Sequence, residues 1–111
     1  MHNLLFSKII DDDIDSCYIY IRDVLEAPIA AENLMKELYN KLDHIKEKPY
    51  TRPLVHDKLL ASFGIRSIKV KNYLLFYSID EENKNVNIIT FMHSKRDWIN
   101  ILRKTPINEI M

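Results

Sequence analysis

Residues 3–9 (NLLFSKI) form a short apolar run without Gly or Pro, the pattern of a strand. Asp11, Asp12 and Asp13 follow. Their side-chain oxygens suit an N-cap, and negative charge is favoured at a helix N-terminus. Ile14, Cys17, Tyr18, Ile21 and Leu25 then recur every three or four residues, predicting an amphipathic helix. Ala27-Pro28 interrupts it, because the residue before proline avoids helical angles while proline itself suits a first helical turn. A second helix is predicted from there. It places Ala31, Leu34, Met35, Leu38, Leu42 and Ile45 on one side, with Glu32, Lys36, Glu37, Lys41 and Lys46 mostly opposite. The two read as an antiparallel hairpin that ends before Pro49.

Residues 49–63 (PYTRPLVHDKLLASF) have mixed polarity and two prolines, so a connecting segment is expected. The period then changes. Across 65–71 (IRSIKVK), Ile68 and Val70 alternate with Ser67, Lys69 and Lys71, as in a half-buried strand. Residues 73–79 (YLLFYSI) are almost continuously apolar, which suits a central strand. Lys71-Asn72 is the expected tight turn, with Asn72 in the left-handed region. Asp80 to Asn85 is a polar hairpin loop before another strand, 86–92 (VNIITFM). In 95–103 (KRDWINILR), Trp98, Ile101 and Leu102 share a face, predicting a short last helix. The order is therefore β-α-α-β-β-β-α.

A length of 111 residues fits one domain, taken as 1–111, and 47% hydrophobic content is enough for a small two-layer core. The formal net charge is zero, yet it is unevenly spread. Residues 1–50 carry six basic and ten acidic side chains, whereas 51–111 carry ten and six. Any recognition of anions therefore falls to the second half, unless the two halves are simply solvated surfaces of opposite sign. The single Cys17 excludes an internal disulfide framework, and a free thiol fits a reducing compartment. No apolar run approaches the roughly 20 residues of a membrane span, and no basic segment precedes the first apolar stretch. A cytoplasmic protein with no membrane partner is expected.

His2, His44, His56 and His93 are scattered without metal-ligand spacing, and one glycine cannot build a phosphate-binding loop. No metal and no cofactor is expected. Basic residues cluster late in the chain. Arg66, Lys69 and Lys71 come from one strand, and His93, Lys95 and Arg96 from the end of another. Cations that hold a phosphate, beside a group able to move protons near neutral pH, are what phosphodiester chemistry requires. Alternation sets Lys69 and Lys71 on one face and Arg66 with Ile68 on the other. Solvated lysines that guard an edge strand would give the same spacing. Among the histidines, His93 alone leaves a strand beside two cations. They disfavour its protonated form and leave a neutral base.

The run from Arg66 to Tyr77 (RSIKVKNYLLFY), an acidic loop and then VNIITFMHSKRDWINIL resemble the second half of RelE/ParE toxins. Arg66, Tyr73, Tyr77, His93, Arg96 and Asp97 stand where that family's outline expects them. YIYIRDVLEAPIAAENLMKEL is similar to the family's helical hairpin. The resemblance implies the RelE-like α+β fold: an antiparallel sheet of about four strands, a two-helix hairpin on one face and a short C-terminal helix. It implies a toxin of a type II toxin–antitoxin module with a role in plasmid stabilisation, bound by a cognate antitoxin in a hetero-oligomer. It further implies ribosome-dependent mRNA cleavage without a metal. Arg66, Lys69, His93 and Arg96 would be catalytic, and Lys71 and Lys95 would hold RNA phosphates. The alternatives are ParE-like inhibition of DNA gyrase without nuclease activity, or an inactive interaction domain. Two departures from the nuclease pattern stand out: Leu74 replaces a common arginine, and the last helix has no tyrosine.

Overall fold

A computed structural model describes residues 1–105; residues 106–111, the end of the expected domain, lie outside the described residues. Strand β1 spans Asn3–Phe6 and helix α1 Lys8–Ile19, continuing as a π-helical turn over Tyr20–Val24. Helix α2 runs from Pro28 to Glu47, followed by a 3₁₀ turn at Pro49–Thr51 and the short helix α3, Lys58–Ser62. Strands β2 (Arg66–Val70), β3 (Tyr73–Asp80) and β4 (Asn85–His93) precede helix α4, Trp98–Lys104. The fold is the expected α+β arrangement, with α3 added inside the connecting segment.

The first strand is shorter than its apolar run because Ser7 starts the helix. Ser7 is extended, at φ −72° and ψ 161°, and its Oγ accepts from the Ile10 N–H at 3.1 Å. Asp11 therefore lies within the first turn instead of capping it. Ile10, Ile14, Cys17, Tyr18 and Ile21 pack inward, but Leu25 is 55% exposed. The π-helical turn explains this, since its wider loops, such as Leu25 N–H to the Tyr20 carbonyl, rotate the residues that follow off the helical stripe. Glu26 at φ 52° and Pro28 then break the chain into α2, as expected at Ala27-Pro28.

The four strands lie in the order β1-β4-β3-β2. β2, β3 and β4 are antiparallel, while β1 pairs with β4 in parallel, from Asn3 opposite Asn85 to Phe6 opposite Ile88. The sheet is thus mixed, because the chain crosses a whole face through α1 and α2 before re-entering at the far edge. At the β2–β3 turn, Lys71 takes the positive φ of 54° expected of Asn72. Lys71 is exposed, so no packing opposes that backbone conformation.

The helical hairpin covers one face, where Leu34, Leu38 and Ile45 meet Ile68, Val70, Leu75, Tyr77 and Phe91. The other face holds Phe76, Ile89 and Met92 under Val55, Leu60, Ile65 and Leu102. A register shift between Phe76 and Tyr77 sets Tyr77 opposite Ile88 and Phe76 opposite Thr90, leaving Ile89 as the extra residue. Both faces are covered, which is why β3 and β4 read as nearly unbroken apolar runs.

Candidate functional site

Arg66 opens β2 on the hairpin face and turns toward the connecting segment. Its guanidinium lies 5.3 Å from the Tyr50 ring centroid, and its Nη1 donates to the Arg52 carbonyl. Beneath it, the buried Tyr77 hydroxyl donates to the Pro49 carbonyl at 2.8 Å. Burial pushes that phenol up to about 12, so it stays a neutral donor. Arg66 and Tyr77 thus hold the 49–55 connector, the Arg66 Nη1 and the Tyr77 hydroxyl each donating to a backbone carbonyl.

His93 ends β4 directly opposite Tyr73, which pairs in turn with Val70 of β2. Arg66 and His93 consequently stand four residues apart in register, roughly 13 Å along the strands. His93 packs edge-on to Tyr73, with centroids 5.2 Å apart, and its Nδ1 accepts from the Lys95 N–H at 3.1 Å. That bond assigns the neutral ring proton to Nε2. The outward nitrogen is a donor, whereas a general base needs a lone pair there. Cys17 packs against the same core as Tyr73, and burial pushes its thiol up. Cys17 is an inert packing residue.

The remaining sequence-derived candidates are cations without a fixed carboxylate. Among the described residues, Lys69, Lys71, Lys95 and Arg96 have no ion-pair partner. Lys71 and Lys95 are exposed at the two turns of the His93 end, which the Ser94 N–H to Asn72 carbonyl bond joins. Arg96 leads into α4 and lines a cleft of about 350 Å³ whose floor includes Ile89, Met92 and Leu102. Asp13 stands on the same cleft and accepts from the Thr90 hydroxyl at 2.7 Å. Asp97, beside Arg96, caps α4 through the Asn100 N–H.

Lys69 sits elsewhere. It alternates away from Arg66 on β2 and lines a cleft of about 370 Å³ with Glu37, Asn40, Lys41, His44, Arg52 and Ile68. The structure therefore brings Lys71, His93 and Lys95 to one end of the sheet, sets Arg66 at the other, and gives Lys69 new neighbours. Arg52 is not singled out in the sequence, and Lys41 and His44 enter there only as part of a polar helix face and as a histidine without metal-ligand spacing. They lie on a solvated helix face and a connector, and no spacing rule links those to β2.

The small mixed sheet backed by a helical hairpin, with cations gathered at its ends and edge, has counterparts among solved structures of toxin–antitoxin systems. A chain of the chromosomal ParDE system from P. aeruginosa superposes with a TM-score of 0.65 at 15% identity, covering 84% of this chain and 96% of that one. A chain of the RelBE2 toxin–antitoxin complex from Mycobacterium tuberculosis gives 0.53 at 21%, covering 83% and 96%. The sequence pattern described as ParE toxin of type II toxin-antitoxin system, parDE, matches residues 4–98. The chain belongs to that family. No curated protein matches it significantly.

Proposed function

We propose that this toxin arrests growth by occupying its target, DNA gyrase, and is neutralised by a cognate antitoxin in a hetero-oligomeric complex. The separation of Arg66 from His93 carries this reading. A metal-independent nuclease must gather its proton-transfer and charge-stabilising groups around one phosphate, within hydrogen-bond reach. Here Arg66 holds a connector and His93 presents an N–H. Leu74, which stands where a common nuclease arginine would be, lies on the packed face with Trp98. In this reading Lys71, Lys95 and Arg96 contact the target through charge.

Ribosome-dependent mRNA cleavage in the cytoplasm is the second reading. The unpaired cations around His93 favour it, as they suit RNA phosphates. Expression of the chain alone should stop growth, and co-expression with the product of an adjacent small reading frame should restore it. Purified toxin should inhibit gyrase supercoiling, and its expression in cells should induce DNA-damage signalling while mRNA stays intact. Truncated mRNA with normal supercoiling would reverse the order of the two readings.

A further inference from the structure

We propose that the cleft between α2 and the outer edge of β2 binds the phosphodiester backbone of a nucleic acid. Lys41 and His44 come from α2, Arg52 from the connector and Lys69 from β2, and all four line one cavity of about 370 Å³. That is large enough for a nucleotide unit rather than a bare ion. Among the described residues Glu37 is the one carboxylate of the cleft, and it lies 3.6 Å from the Lys41 ammonium. Arg52 and Lys69 have no carboxylate partner among the described residues.

The donors are also partly uncommitted. Among the described residues Arg52 uses only its Nε on the fold, donating to the Ser67 carbonyl at 3.4 Å, which leaves its two terminal nitrogens for a ligand. The Thr51 hydroxyl gives its proton to the Lys48 carbonyl, so it accepts from His44 Nε2 at 2.9 Å. His44 thus spends its Nε2–H on the connector and fixes Thr51 beside Arg52. Asn40 adds an amide able to meet a base edge, and Ile68 supplies an apolar wall. Cations beside one amide and an apolar surface match a sugar–phosphate chain with its base, and a run of carboxylates would leave the wall unused.

Fluorescence anisotropy of the full-length chain with short labelled single-stranded DNA and RNA tests the assignment. Lys41, Arg52 and Lys69 make about three phosphate contacts, so affinity should fall about twentyfold between roughly 50 and 200 mM salt. In the Arg52→Gln/Lys69→Gln variant binding should be weak, with a fall of only about threefold over that range. Lys69→Gln, at an exposed position, should alone lower the salt slope by about one contact, even if the double variant proves unstable. The DNA and RNA arms identify which nucleic acid is preferred. Wild-type affinity and slope in Lys69→Gln would overturn the proposal. So would displacement by polyglutamate at concentrations where inorganic phosphate and unlabelled oligonucleotide do not compete, which would assign the cleft to an acidic protein segment. Loss of oligonucleotide binding with intact gyrase inhibition separates this site from the proposed target.

Discussion

At the scale of single residues, the two groups best suited by type to catalysis are tied to backbone. Arg66 combines a charge-assisted hydrogen bond to the Arg52 carbonyl with a cation–π contact on Tyr50. Such a bond contributes roughly 1.5–3 kcal/mol and the stacking about 0.5–1. Replacing Arg66 by Met keeps some packing and loses both, so a cost of about 1–3 kcal/mol is expected. Thermal unfolding of Arg66→Met should show a fall of several degrees, and an unchanged midpoint would show that the connector holds without it. His93→Gln gives the complementary test. With His93 fixed as an Nε2–H donor, the variant should fold, bind antitoxin and remain toxic. Loss of toxicity with folding and antitoxin binding intact would return His93 to a catalytic role.

At the scale of elements, local chemistry explains what the sequence reveals and what it hides. The stripe at Ala31, Leu34, Leu38, Leu42 and Ile45 is buried as its spacing demands, and the alternation at Ile68, Lys69 and Val70 sorts their side chains correctly. Pro28 opens α2 as its fixed φ requires. The missed features depend on neighbours distant in sequence. Ser7 competes with three aspartates for the cap, and its hydroxyl also donates to the Ile89 carbonyl on β4. The parallel pairing of β1 with β4 leaves no local trace at all. The same limit hid the Lys41–His44–Arg52–Lys69 cleft, which is assembled from a helix, a connector and a strand. Ser7→Ala should therefore cost about 1 kcal/mol through the lost cap. Faster amide exchange in the first turn of α1 would locate that loss, and unchanged protection there would mean that the turn holds without the Ser7 hydroxyl.

At the scale of the whole molecule, one carboxylate joins segments that secondary structure leaves separate. Glu81, in the β3–β4 loop, accepts from His2 at 2.9 Å and from the Tyr50 hydroxyl at 2.7 Å, and it pairs with Lys84. It thus links the chain start, the connector that Arg66 grips, and the loop joining the two central strands. Lys84, then His2 and Tyr50, hold its carboxyl down to about 2, below the ordinary 4.5. The sign follows from the depressed value. The folded state binds fewer protons here than the unfolded chain, so stability from this group is fully present above 4.5 and fades as pH falls through about 2. Glu81→Gln removes the charge while keeping the shape. The midpoint difference between wild type and Glu81→Gln should be constant from neutral pH to about 5 and close between 4.5 and 2. Thermal melts across that range measure it. A difference that persists unchanged at pH 2 would mean the contacts act through geometry instead of charge, since the same hydrogen bonds would then survive protonation.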